Sequence, residues 1–327
     1  MAVDILNIKP TVISKDLRGK FVMLYSSPKG GKTTMACSFP KNLLCAFEKG
    51  YNAISGAMAV DITKWVDFKQ VIRQLRKQES KEKFHTITID TASIAYDLCE
   101  QYVCTQNGVQ AIGDVPWGQG YAATKKEFEN CLREITQLGY GLVLITHEEV
   151  RKEPGPNDTE IEVVRPALNK RAYEICNRLV DIIGYIQVEW KEDGSSERWL
   201  VTRRTPTIMA GSRFKYMPPR IKFGYEDLVN AITEAIKESE EKDGAVVVDK
   251  AEEKVEEVLN YNDLMDEAKS IWSKLVPDTD ESSQEMAKTI HKKVEMIFGK
   301  PTKISDITED QIDLLNLVVL ELRDLSK

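Results

Sequence analysis

The sequence predicts an α/β fold in which a mainly parallel sheet is flanked by helices, followed by a small C-terminal all-α module. Three observations carry that reading. Between Phe21 and about Lys237, short apolar runs alternate with helical patterns, as they do where parallel strands are joined by crossover helices. The first run, Phe21 to Tyr25, stops at a turn-forming Ser26-Ser-Pro-Lys-Gly-Gly31 segment, and Lys32-Thr33-Thr34 then opens a helix. After residue 237 the alternation ceases, and a charged stretch gives way to helical periodicity alone.

Taken in order, strands are expected at 21–25, 43–47, 86–89, 141–146, 182–188 and 198–202, where apolar and β-branched residues cluster. Ahead of the fourth, Tyr121, Phe128, Leu132, Ile135 and Leu138 fall on one helical face. A helix near 225–240 repeats Leu228, Val229, Ile232 and Ile236. Residues 238–257 are dominated by Glu, Lys and Asp around a short Ala-Val-Val-Val island and read as a linker or a solvated helix. Beyond them, Leu264, Ala268, Ile271, Trp272 and Leu275 mark one helix, and Met286, Ile290, Val294 and Ile297 a second. Asp306-Ile-Thr-Glu-Asp-Gln caps a third, which runs through Leu314, Leu315, Val318, Val319 and Leu322. The expected organisation is a first domain over 1–237, an acidic linker over 238–257 and a helical module over 258–327.

The chain has 327 residues, enough for two domains, the first of them large enough to bury a substantial core. Its net charge of −7 is unevenly spread. Residues 238–327 hold 12 Lys and Arg against 23 Asp and Glu, whereas residues 1–237 hold 33 against 29. A mildly basic core beside an acidic tail is compatible with nucleic-acid contact by the core. The tail could restrain that contact, dock a protein partner or keep the protein soluble. Six cysteines (Cys37, Cys45, Cys99, Cys104, Cys131 and Cys176) form no Cys-x-x-Cys pair and are expected to be reduced structural thiols. No apolar run approaches a membrane span, and Met1-Ala-Val-Asp-Ile lacks the basic-then-apolar pattern of a signal peptide, so a cytoplasmic protein without membrane partners is expected.

The opening loop carries the most chemistry. Residues 26–33 follow G-x-x-x-x-G-K-[ST], the cradle for nucleoside-triphosphate phosphates, with Ser26 in place of the first Gly. Small residues there let backbone N–H groups turn toward phosphate oxygens, aided by the dipole of the following helix. Lys32 would reach the β- and γ-phosphates and the Thr33 hydroxyl would ligate Mg²⁺. The nucleotide-binding set is therefore Ser26, Ser27, Pro28, Lys29, Gly30, Gly31, Lys32, Thr33 and Thr34. Asp90 closes the apolar run Thr86-Ile-Thr-Ile and is the candidate to hold Mg²⁺ through water; the alternative is a helix N-cap. Glu48, after Cys45-Ala-Phe, could activate the attacking water, or be a solvated turn residue. His147, after Thr146, could sense the γ-phosphate, or simply cap its strand.

With these strand ends in order, the chain resembles a RecA-type ATPase, more closely the phage nucleotide-binding (AAA/RecA-like) family that includes RecA-like single-strand annealing proteins. The resembling segments are Leu24 to Thr34, Cys45 to Glu48, Ile87 to Thr91, Trp117 to Tyr121, Val143 to His147, and Val180-Asp-Ile-Ile with Arg203-Arg204, covering roughly residues 5–237. The resemblance implies a RecA-like core with ATP and Mg²⁺ as ligands, Glu48 as the catalytic carboxylate and His147 as the γ-phosphate sensor beside Lys32. It implies single-stranded DNA held by mobile loops near 105–120 and 148–170. The second loop would use Arg151, Lys152 and Arg165, with Lys170 and Arg171 just beyond, and Trp117 and Tyr121 near the first would stack on bases. It also implies a homo-oligomer with sites between subunits, where Arg203, Arg204, Arg213 or Lys215 would reach a neighbour's γ-phosphate, and a phage protein working in a bacterial cytoplasm.

The expected function is an ATP-binding and ATP-hydrolysing protein acting on single-stranded DNA in phage recombination or repair, by strand annealing or pairing. The alternative is a nucleotide-dependent loader or regulatory protein without pairing activity of its own, docking a partner through the acidic tail. A small-molecule kinase ranks last, because no Arg-rich lid segment lies between Asp90 and His147.

Overall fold

The computed structural model describes residues 13–14, 18–155, 159–244, 247–248, 261–278 and 280–326, which fall into two compact units drawn from residues 10–254 and 255–327. The strands of the first unit are β1 (Ile13–Ser14), β2 (Phe21–Ser26), β3 (Asn42–Ala46), β4 (Ala59–Asp61), β5 (Thr86–Asp90), β6 (Gly141–Pro154), β7 (Glu160–Pro166), β8 (Ile182–Trp190), β9 (Ser196–Val201), β10 (Gly211–Ser212), β11 (Arg220–Lys222) and β12 (Val247–Val248). Its helices are α1 (Lys32–Cys37), α2 (Trp65–Leu75), α3 (Gln78–Lys83), α4 (Ala92–Gln106), α5 (Gln119–Gln137), α6 (Lys170–Leu179) and α7 (Tyr225–Asp243).

The main sheet runs β11-β9-β8-β2-β6-β5-β3-β4. The six strands from β8 to β4 are mutually parallel, while β9 and β11 add an antiparallel edge. Strand β2 sits inside this sheet with every residue buried. Its pleat sends Phe21, Met23 and Tyr25 into one core and Val22 and Leu24 into the other. The first core packs β2, β5 and β6 under α2, α4, α5 and α6, with Trp65, Phe68, Phe128 and Leu132 at its centre. The second lies under α1 and α7, where Met35, Phe39, Leu228, Ile232 and Ile236 close over the opposite face. A mostly parallel sheet covered on both faces is the architecture that near-continuous apolar strands require.

Several elements differ from the sequence expectation. The strand expected at 141–146 continues to Pro154, because residues 148–154 pair antiparallel with β7. The expected mobile loop at 148–170 is thus chiefly a β-hairpin. Helix α2 went unforeseen, although Trp65, Phe68, Ile72 and Leu75 repeat at helical spacing and are all buried. Helix α7 runs six residues past the boundary expected at 237 and stops at Gly244, whose φ of 67° suits a left-handed cap. Strands β1 and β12 pair in parallel (Ile13 with Val247, Ser14 with Val248), within a stretch whose remaining linker residues lie outside the described set.

The second unit holds α8 (Tyr261–Leu275), α9 (Glu281–Phe298) and α10 (Ile312–Leu325) around Leu264, Ala268, Ile290, Val294, Leu315, Val318 and Leu322. Asp280 caps α9 by accepting the Ser283 N–H at 2.8 Å. Two short 3₁₀ turns, Ile304–Asp306 and Glu309–Gln311, lead into α10. None of the helices is long and apolar enough to cross a membrane, among the described residues. All six cysteines are free, and burial pushes the Cys45 and Cys176 thiols up to about 12, which leaves them protonated and unreactive.

Candidate nucleotide site

The glycine-rich loop begins where β2 surfaces. Ser26 is fully buried, and its hydroxyl donates to the Ser27 carbonyl at 2.9 Å. The loop turns through two left-handed residues, Lys29 (φ 65°) and Gly31 (φ 100°), and α1 starts as Met35 N–H donates to the Gly31 carbonyl at 2.9 Å. Ser26 fits because Gly30 makes room. A Cβ on Gly30 would lie 2.2 Å from Ser26 Oγ and 2.9 Å from its Cβ. The side chain that the phosphate-cradle pattern omits at 26 is thus offset by the absence of one at 30.

Lys32 is only 6 % exposed and lies across this loop. Its ammonium donates to the carbonyls of Ser27 (2.8 Å) and Ser26 (3.1 Å), with Ser26 Oγ at 3.3 Å. Burial draws its pKa below the usual lysine range, and the carboxylates of Asp90, Glu148 and Glu48 act against that shift. Beside it, Thr33 Oγ1 donates to Asp90 Oδ2 at 2.7 Å. Burial raises the Asp90 carboxyl above the ordinary aspartate range, the Thr33 hydrogen bond opposing it. Gly50 faces the pair: a Cβ there would stand 3.8 Å from Thr33 Oγ1 and 3.9 Å from Asp90 Oδ2.

Glu48, two residues past β3, and His147, within β6, join from the strands on either side of β5. The Phe47 and Glu48 amides both donate to the Asp90 carbonyl, at 2.7 and 3.0 Å, which ties the segment after β3 to the end of β5. His147 lies directly opposite Ser26 across the β2–β6 ladder. Its Nε2 is 3.4 Å from Glu48 Oε2, so the two side chains meet over the same edge of the sheet. Strand β6 lies between β2 and β5, and His147 is thereby flanked by the loop on one side and Asp90 on the other. Lys32, Thr33, Glu48, Asp90 and His147 are all brought together. Thr34 and Pro28 are exposed, on the outer side of the loop.

The expected DNA-contacting cations are placed differently. Arg151 pairs with Glu149 at 2.7 Å and Lys152 with Glu160 at 3.0 Å. Arg165, its side chain 13 % exposed, lies 3.5 Å from Glu149 and 3.6 Å from Glu153, with its guanidinium 4.9 Å from the Tyr173 ring centroid. These three are hairpin residues neutralised by carboxylates of the same hairpin. Lys170 and Arg171 open α6 and are exposed, and the Arg171 guanidinium stacks 3.8 Å over the Tyr121 ring. Trp117 is 95 % exposed on a 3₁₀ turn, at φ 58°. Each residue expected to reach a neighbouring subunit has a partner in its own chain. Arg203 donates to Met217 O at 3.1 Å, Arg204 pairs with Glu153 at 3.4 Å, Arg213 with Asp181 at 3.1 Å, and Lys215 with Asp243 at 2.8 Å.

Two residues near the loop escaped sequence reading. A Cβ on Gly31 would lie 3.1 Å from both Arg198 Nη1 and Phe223 Cζ. They come from the antiparallel edge, β9 and the turn after β11, and no motif marks either one. Gly50 was missed as well, although its place two residues after Glu48 was a usable signal.

A mostly parallel sheet covered on both faces, with a Gly-Gly-Lys-Thr loop at the carboxyl edge of an inner strand, defines an α/β protein with a P-loop type nucleotide-binding core. The chain belongs to the AAA domain family, whose model matches residues 18–214. It is also similar along nearly its whole length to the SPbeta prophage-derived uncharacterized protein YorG of Bacillus subtilis (strain 168), at 30 % identity over 338 residues and 99 % of each chain. Membership of an AAA family suggests nucleotide binding and ATPase activity, typically with Mg²⁺.

Proposed function

We propose that this protein binds and hydrolyses ATP with Mg²⁺ on a RecA-like core, and couples that cycle to single-stranded DNA in phage recombination or repair. The observation that carries the reading is the meeting of Lys32, Thr33, Asp90, Glu48 and His147 at one edge of a parallel sheet. Thr33 Oγ1 and Asp90 Oδ2 fit Mg²⁺ because they are adjacent hard oxygen donors. Bound there, the ion would neutralise phosphate charge. Lys32 exchanges its loop carbonyls for phosphate oxygens, and the loop amides orient the same group. Glu48 takes the proton of the attacking water as the water oxygen bonds the γ-phosphorus and ADP leaves, and His147, whose Nε2 lies 3.4 Å from Glu48 Oε2, senses the γ-phosphate.

The DNA part rests on the surface formed by Trp117, Tyr121 and Arg171. An exposed indole near a guanidinium–phenol stack suits bases stacked beside a phosphate backbone. One observation favours the second reading, a nucleotide-dependent loader or regulator without pairing activity. The hairpin cations Arg151, Lys152 and Arg165 are already matched by carboxylates. We further propose a homo-oligomer under either reading and, under the second, a protein partner docked through the acidic second unit.

The deciding experiment measures ATP hydrolysis with and without single-stranded DNA, on wild type and Lys32→Ala. Hydrolysis stimulated by DNA and lost in the variant supports the first reading. ATP turnover with no DNA affinity at low salt, with or without nucleotide, selects the second.

A further inference from the structure

We propose that Arg198 is a further nucleotide-contacting residue, supplied by the same chain, whose guanidinium binds the polyphosphate of a nucleoside triphosphate held in the glycine-rich loop. The proposal rests on the nucleotide-binding reading above and adds a group from β9, at the Gly31 turn of the loop. Gly31 precedes Lys32, and the space where its side chain would project is taken by Arg198 Nη1 and Phe223 Cζ, each 3.1 Å from the Cβ position. The guanidinium therefore lies against the loop backbone itself.

Its position is fixed by the sheet. Arg198 pairs with Val188 across the β8–β9 ladder, and the Phe223 N–H donates to the Arg198 carbonyl at 3.2 Å. The Phe223 ring centroid lies 5.8 Å from the guanidinium carbon, within cation–π reach, so the ring supports the fork from beneath. Two neighbouring cations of this edge are already committed, Lys191 to Glu197 and Arg220 to Glu189. Arg198, among the described residues, has no hydrogen bond or ion pair from its side chain. A planar five-donor fork without an acceptor, pressed against a loop built for phosphates, has the chemistry to bind phosphate bidentately. Lys32 and Arg198 would then grip the polyphosphate from two sides.

The test is equilibrium binding of ATP, ADP and inorganic tripolyphosphate to the full chain, as wild type, Arg198→Ala, Arg198→Lys and Lys32→Ala, across a salt series. Arg198→Ala should weaken ATP and tripolyphosphate by about tenfold, the loss of one charged hydrogen-bonding partner at a partly exposed site, and flatten the salt dependence. Arg198→Lys should recover part of the affinity, and the thermal midpoint without nucleotide should move little, since the side chain makes no hydrogen bond or ion pair in the fold and its contact with Phe223 is a long cation–π approach. Unchanged affinity in Arg198→Ala, with binding lost in Lys32→Ala, overturns this proposal and leaves the nucleotide reading standing. Absence of binding by the wild type, or binding indifferent to Lys32→Ala, overturns both.

Discussion

Gly30 and Ser26 show how one departure from a pattern is absorbed by its neighbour. Gly30→Ala would drive a methyl group into the buried Ser26 side chain, and overpacking of this kind costs about 1–3 kcal/mol. Adding Ser26→Gly should recover most of that loss, because the two positions share one volume. Denaturant melts of both single variants and the double variant check this; equal cost of Gly30→Ala in either background counts against it. Asp90 makes a second prediction. Burial holds its folded pKa above the unfolded value, so the charged form opposes folding. The stability it contributes is full below the ordinary aspartate value of about 3.9 and is lost as pH rises through the raised one. Asp90→Asn should therefore be more stable than wild type at neutral pH, while losing Mg²⁺-dependent nucleotide binding. The stability gap should close as pH falls toward the unfolded value. A gap that widens on acidification would refute the sign.

At the scale of elements, the β6–β7 hairpin and the turn before α5 are the two segments that the resemblance implied as DNA-holding loops, and they are built differently. The hairpin is tied to the site by hydrogen bonds. Thr146 Oγ1 donates to Ala167 O at 3.1 Å, and Ala167 N–H to His147 O at 2.8 Å. Tyr25 donates to Met209 O at 2.6 Å and reaches Val164 O at 3.2 Å. Within the hairpin, Arg165→Ala would leave Glu149 to Arg151 and Glu153 to Arg204, but it removes a largely buried side chain stacked on Tyr173, and should cost about 1 kcal/mol. Lys152→Ala breaks an exposed pair and should cost less than about 0.5 kcal/mol. Chemical denaturation separates the two outcomes. Trp117→Ala should leave stability unchanged, since the ring is almost fully exposed, and weaken single-stranded DNA binding by about 1–3 kcal/mol. Anisotropy titrations with a labelled oligonucleotide read that loss, and an unchanged affinity removes Trp117 from the DNA surface.

At the scale of the whole molecule, truncation should follow the compact units. A cut at 237 would sever α7 and remove Asp243, the partner of Lys215 and Tyr216. A chain ending at residue 254 keeps both cores of the first unit. It should retain the nucleotide affinity of the full chain. It also sheds a segment holding 9 Lys and Arg against 16 Asp and Glu, so single-stranded DNA affinity should rise if the acidic unit competes for the basic surface. Equal DNA affinity in the two chains would assign that unit to solubility or to a protein partner.

The sequence by itself determined the α/β class, the mostly parallel strands and the glycine-rich loop, and it singled out Glu48, Asp90 and His147 as candidates. Those signals are local: an apolar run, a turn composition and the residue that ends each strand are all set within a few positions. The signal for helix α2 is equally local, Trp65, Phe68, Ile72 and Leu75 at helical spacing. Tertiary structure alone decided that His147 stands opposite Ser26, and that Arg198 and Phe223 reach Gly31 from the antiparallel side of the sheet. These depend on which strands become neighbours. That order is set by packing between elements more than a hundred residues apart, and no single segment records it.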